Sequence, residues 1–192
     1  MKTVFNAAAS LDGFIADEDN SLEWLFQLGD PEDTEFNRFF EQVGAIAMGA
    51  TTYQWIYDHQ VSTSDDPSEA WPYKMPVWVF SNRKLPRIEN RDIRFVSGSV
   101  EPVHDAMCRE AGGNIRWIVG GGDLAVQFYD AGLLDEIIIT VASVTLGGGV
   151  PFFPRRTDMP LKLLSVKQYG RAFAELRYEI QYVNPSTAVK NQ

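Results

Sequence analysis

Three short stretches of this chain gather backbone amides, hydroxyls and cations in the pattern an anionic ligand needs. In IRWIVGGGDLAVQF (residues 115–128) a strand-like apolar run ends in Gly120, Gly121 and Gly122 and passes straight into a helix-like run. Glycines at such a junction let a ligand approach the backbone, and the free N–H groups of the helix start point at an anion such as a pyrophosphate. The spacing is not that of the Rossmann fingerprint, and a plain tight turn uses the same residues. Asp123 suits the first turn of a helix, yet its charge repels a phosphate unless the carboxylate turns away. A second junction is Met48-Gly49 followed by Thr51 and Thr52. A third is Ser81-Asn82-Arg83-Lys84, where two cations beside hydroxyl and amide donors suit a phosphate monoester. Each alone reads equally as a cap or a solvated turn. Three at strand ends point to a ligand, because open α/β sheets bind at the carboxyl ends of their strands.

Other side chains are candidates for a second, uncharged ligand. Asn6 interrupts an otherwise apolar strand, so its amide needs a partner or a ligand. Trp24 and Phe36 offer flat faces for a heterocycle, although core packing uses the same residues. His59 and His104 stand apart from other metal-ligating side chains, and Asp17-Glu18-Asp19 lacks the spacing of a calcium loop, so no metal site is expected. Cys108 is the only cysteine. That excludes an intrachain disulfide and a thiolate zinc cluster, and the residue reads as a core or hydrogen-bonded thiol.

The elements that must position these residues follow from local pattern. Short apolar runs at 4–9, 45–48, 76–80, 93–96, 115–119 and 137–144 read as strands, and 161–169 with 172–183 as an antiparallel hairpin turning near Gly170. Asp30-Pro31 opens a helix with Phe36, Phe39, Phe40 and Val43 as its buried stripe, and Thr51 or Thr52 caps a brief helix. Further helices are expected over 99–111, stopped by Gly112-Gly113, and after Gly122. Residues 58–74 read as an exposed, mobile loop. Strands alternate with helices and then end in strands alone. The expected fold is α/β and three-layered: a mostly parallel central sheet, helices on both faces, and a C-terminal antiparallel hairpin. Residues 1–183 are read as one domain and 184–192 as a frayed tail.

In this order, AAASLDGFIA, AIAMGATTY, VWVFSN, IRWIVGGGDLAVQF and SVTLGGGVPFF resemble the dihydrofolate-reductase superfamily, over roughly residues 2–183. They are most similar to the branch containing the C-terminal reductase domain of the bifunctional riboflavin-biosynthesis protein. The resemblance implies NADPH-dependent reduction of a C=N or carbonyl group in a pterin- or pyrimidine-like substrate. It places the backbones of Ala8 and Ile15 beside the nicotinamide carboxamide. Gly49, Thr51 and Thr52 would bind the diphosphate from one side, and the glycine junction from the other, through Gly120, Gly121, Gly122 and Leu124. Ser81, Asn82 and Arg83 would take the adenosine ribose and its 2′-phosphate. Ala50 stands where the family carries an arginine, which leaves Arg83 as the substitute cation. Asp33 is implied as the proton donor, a role that requires a raised pKa; a dipole-stabilising role in the helix's first turn is the other reading, and Glu35 is its alternate. A homodimer is also implied. The other functional reading is a non-enzymatic nucleotide-binding or regulatory protein that keeps the fold, and Ala50 and Asp123 favour it.

The whole-chain properties agree with this picture. The 192 residues are 45% hydrophobic and 22% charged, an ordinary globular balance. A net charge of −9 argues against non-specific binding to nucleic acid or an anionic membrane. The amino-terminal apolar stretch is too short and polar for a signal peptide, and no run is long enough to span a bilayer, so a cytoplasmic protein is expected.

Overall fold

The computed structural model describes residues 1–29 and 35–182. Asp33, the helix start at Asp30-Pro31 and the 184–192 tail lie outside these residues. The framework is an eight-stranded sheet in the order β5-β4-β3-β6-β1-β7-β10-β9. Its strands are β1 (Thr3–Ser10), β3 (Val43–Gly49), β4 (Val77–Phe80), β5 (Ile93–Val96), β6 (Ile115–Gly120), β7 (Glu136–Ala142), β9 (Lys162–Tyr169) and β10 (Phe173–Glu179). Pairing is parallel from β5 through β7, and antiparallel where β10 meets β7 and β9. A separate small ladder joins β2 (Phe14–Ala16) to β8 (Val150–Pro151).

Helices cover both faces, as the alternation of strand and helix patterns requires. On one face Phe5, Ala45, Ala47 and Ile118 pack with α5 (Glu101–Glu110) and α6 (Gly122–Asp130) through Val103, Met107, Leu124 and Phe128. On the other, Val4, Ile46, Met48 and Trp117 pack with α2 (Phe36–Glu41) and α3 (Ala50–Ile56) through Phe39, Tyr53 and Ile56. Neighbouring residues of one strand thus serve opposite cores, which is why these strands read as continuous apolar runs. A third, smaller core joins Trp24 of α1 (Glu23–Phe26) to Ala142, Tyr169 and Phe173. No described helix is long and apolar enough to cross a membrane.

Several local expectations are corrected. Gly49, in extended conformation, is the N-cap of α3, and Thr51 and Thr52 lie inside the helix. Val43 opens β3 rather than closing the α2 stripe, and Phe36 is 42% exposed, leaving Phe39 as the fully buried member. Residues 58–74 are exposed at most positions, as expected, but they are not loop throughout. A π-helical turn (Tyr57–Val61) and α4 (Pro67–Ala70), capped by the Asp66 side chain, carry Val61, Trp71 and Tyr73 into the second core. Local polarity hid the three apolar anchors, and long-range packing decided. His104 is half-buried rather than solvated, with Nε2 2.9 Å from Thr3 Oγ1.

Candidate active site

The sheet divides at its middle. β1 pairs with β6 only from Thr3 to Phe5, whereas its pairing with β7 continues to Ser10. Beyond Phe5, β6 stays with β3, where Met48 faces Gly120. The β6-side edge of β1 around Ala8 therefore has no ladder partner, and backbone polar groups there remain available to a ligand. This is the type of crevice in which α/β sheets hold ligands. Ile15 stands at its rim: a Cβ placed on Gly121 would lie 3.9 Å from Ile15 Cδ1.

Two of the glycine junctions meet across this crevice. A Cβ on Gly49 would lie 3.8 Å from the Gly121 amide nitrogen, and one on Gly120 only 3.0 Å from Thr52 Oγ1. A side chain at Gly120 would crowd the Thr52 hydroxyl, so the glycine lets α3 and the β6–α6 junction approach closely. The Gly120–Gly121 peptide is cis. Gly122 serves packing as well, since a Cβ there would strike the carbonyl oxygens of Phe152 and Pro151 at 2.4 and 2.6 Å. The Leu124 amide already donates to the Gly121 carbonyl at 3.1 Å, and its side chain belongs to the core. The helix-start donors left for a ligand are then Gly122 and Asp123 rather than Leu124. Asp123 itself is exposed.

At the carboxyl ends of β4 and β5 a cavity of about 440 Å³ is lined by Ala50, Phe80, Ser81, Asn82, Arg83, Ser97, Gly98 and Gln127. This brings the third junction to Ala50, at the start of α3. Ser81 Oγ accepts from the Arg83 amide at 3.1 Å and donates to its carbonyl at 2.8 Å, which fixes the turn that presents Arg83. Arg83 is exposed, and no ion pair holds it among the described residues. Ser97, Gly98 and Gln127 were missed from sequence; nothing in their local pattern separates them from surface residues.

A smaller cavity of about 140 Å³ lies under α2, lined by Asn6, Glu35, Arg38, Phe39, Gln42, Ile115, Ile138, Glu175 and Arg177. Its volume is near that of a cavity known to admit one six-membered ring. Asn6 is among the residues that line this cavity. Its backbone carbonyl accepts from Trp117 Nε1 at 3.0 Å, while its side chain faces the cavity. Trp24 is not among the lining residues; it packs on Ala142, Tyr169 and Phe173, and its buried Nε1 has no acceptor among the described residues. Phe36 instead meets Phe39, Phe40 and Trp117, with its ring centroid 5.6 Å from that of Trp117.

Charges in this chamber are ordered by pairing. Glu136, 1% exposed, accepts from Arg177 Nε at 2.8 Å and also pairs with Lys2. Glu35 pairs with Lys167, and this hydrogen bond holds its carboxyl below the usual range. Glu175 is pushed upward, first by burial and then by the charge of Glu35. The rim is fixed by Asp12: it accepts from Ser10 Oγ at 2.6 Å and from the amides of Leu146 and Gly147, and its pKa falls to about 2. The pair SLDGF and TLGGGVPFF are thus one structural unit, with Phe152 N donating to Gly13 O at 2.8 Å.

A divided parallel sheet with glycine junctions facing across it, closed by an antiparallel hairpin, is the dihydrofolate-reductase-like fold. Within that class the chain belongs to the RibD C-terminal domain family, whose model matches residues 56–174. It is 32% identical over 178 residues to the uncharacterized protein YwjB of Bacillus subtilis (strain 168), covering 92% of this chain and 97% of that protein. It is similar to a solved protein from Shewanella sp. PV-4 assigned to riboflavin biosynthesis, with TM-score 0.79 and 28% identity over 95% of this chain and 100% of that one. Dihydrofolate reductase from Enterococcus faecalis, solved with NADP(H), shares the fold at TM-score 0.57 and 13% identity, covering 93% of this chain and 95% of that one.

Proposed function

We propose that this protein is an NADPH-dependent reductase of a pyrimidine- or pterin-like heterocycle, acting in the cytoplasm as a homodimer. The observation that carries the reading is the β1/β6 division, with an Arg83-lined cavity at the β4–β5 end and a polar chamber of one-ring size under α2. The residues present fit a dinucleotide: the Gly49 and Gly120-Gly121 backbones form a cradle that side chains would fill, and the unpaired edge of β1 offers amide partners near Ala8. Gly49, Thr51, Thr52, Gly120, Gly121 and Gly122 would enclose the diphosphate, with the Gly122 and Asp123 amides in place of Leu124 as helix-start donors. Ser81, Asn82 and Arg83 would meet the adenosine ribose and its phosphate, and Ala8 and Ile15 the nicotinamide. When bound, that cofactor supplies the hydride. The chain supplies orientation, a dry chamber and a proton. Asn6 and Trp24 would orient the substrate ring, with Phe36 at the aromatic cluster above. Asp33, implied as donor by the family resemblance, lies outside the described residues.

The homodimer is supported by the edge strand β9, whose Leu163, Leu164 and Val166 are 52%, 39% and 59% exposed. An open strand edge with apolar side chains calls for cover. The reading is tested by calorimetry with NADPH, followed by NADPH oxidation with dihydrofolate and ribosylaminopyrimidine substrates. Binding with turnover on one substrate class is expected. Absence of any NADPH heat would overturn it, and binding without turnover would return the chain to the nucleotide-binding, non-enzymatic reading that Ala50 and Asp123 favour.

A further inference from the structure

The chamber under α2 holds a carboxyl that no local motif marks. Sheet register places Ala8 opposite Thr140, Thr140 opposite Glu175 and Glu175 opposite Lys167, all in one row. With strands ~4.8 Å apart, Glu175 stands roughly 10 Å along that row from the β1 edge proposed to meet the nicotinamide. Glu175 is 9% exposed and lines the cavity. The cations around it are engaged elsewhere: Lys167 pairs with Glu35 and Arg177 with Glu136. Among the described residues its carboxyl has neither ion pair nor hydrogen bond. Trp24 Nε1, in the small core with Ala142, Tyr169 and Phe173, is a buried donor without an acceptor among the described residues. A buried carboxyl that lines a space of one-ring size, with no partner among the described residues, marks where a polar ring belongs.

We infer that Glu175 is the proton-carrying group of this chamber and delivers its proton to the substrate as the hydride arrives, with Glu35 as the fixed charge that keeps the proton on Glu175. This rests on the reductase reading. The charged groups facing Glu175 are Glu35 and Arg38 at the start of α2, Lys167 and Tyr169 on β9, and Arg177 on its own strand. The Glu35 amide donates to Tyr169 Oη at 3.2 Å, which holds Glu35 over β9. Burial and the Glu35 charge favour the neutral form of Glu175, while Lys167 and Arg177 oppose this weakly. Two carboxyls in one chamber with opposite shifts is the division of labour that acid–base sites require.

The step balances. When bound, the reduced nicotinamide would supply a hydride to the carbon of a C=N or C=O bond; Glu175 would give its proton to the nitrogen or oxygen that receives the π pair. The products are the amine or alcohol, the oxidised nicotinamide and the Glu175 carboxylate, which regains a proton from water.

The test is a pH titration of glutamate side-chain carboxyl carbons by NMR, in the wild type, Glu175→Gln and Glu35→Gln, with calorimetric NADPH binding on the same samples. One glutamate signal is expected to titrate above the rest, to vanish in Glu175→Gln and to move down in Glu35→Gln. The wild type should also lose urea stability relative to Glu175→Gln as pH rises from the ordinary carboxyl range through the Glu175 pKa, because a raised pKa adds stability only while the group is protonated. NADPH affinity should be unchanged in Glu175→Gln, whereas turnover falls about a hundredfold and the pH profile changes its limb. Glu175 titrating among the other glutamates would overturn the inference. So would a Glu175→Gln enzyme that keeps wild-type turnover while Asp33→Asn loses the limb. Failure of NADPH to bind the wild type reports separately, as failure of the reductase reading.

Discussion

The two cavities of this protein are built differently. The larger one draws Ser81, Asn82 and Arg83 from one continuous turn, with hydrogen bonds between Ser81 and Arg83 fixing it from within. The smaller one takes its lining from β1, the start and end of α2, β6, β7 and β10, so its charges come as two sequence-local pairs, Glu35 with Arg38 and Glu175 with Arg177, that only the fold brings together. The first is a locally encoded site that tolerates change nearby. The second exists only when the sheet register is correct, and its electrostatics are tied to the stability of the fold.

The sharpest way to break this contrast is Arg177→Leu, which leaves the buried Glu136 with Lys2 alone. A loss of about 2–3 kcal/mol is expected, because an unpaired buried charge costs most and Lys2 offsets part of it. Urea unfolding measures this, and a loss under half that size would mean that the chamber is no more coupled to folding than the surface turn. Next in size is Arg83→Ala. It should weaken NADPH binding about tenfold while leaving NADH and stability nearly untouched, as an exposed charge-assisted contact would. Equal losses for both nucleotides by calorimetry would remove Arg83 as the phosphate partner. The smallest effect is expected at the rim. Asp12→Asn should lower Tm slightly at neutral pH. Because the folded pKa of Asp12 is depressed, its contribution is present above the ordinary carboxyl pKa and is lost as pH falls through about 2, so the two melting curves should converge there. A constant difference down to that pH would assign the effect to packing.

The same contrast explains what the sequence disclosed. Strand–glycine–helix junctions are contiguous, so Gly49, the Gly120–Gly122 run and the Ser81 turn could be picked out, and the alternation of elements gave the sheet and its final hairpin. Phe36 and Val43 were misplaced because helical spacing continues past the point where β3 begins. Val61, Trp71 and Tyr73 were hidden in a stretch whose neighbours are Ser, Asp and Pro, yet these apolar anchors needed only a core to fold onto. Glu175 carried no signal at all. In FAELRYE it is one more polar residue in an alternating strand, and only the register against β7 and β9 shows that it faces a cavity rather than water.

One consequence reaches the far end of the chain. Lys2 and Arg177 share a single carboxylate, Glu136, from opposite sides. A change at residue 2 is therefore mechanically a change in the chamber wall: neutralising or displacing that lysine throws the full demand of Glu136 onto the guanidinium that borders the ring-sized space.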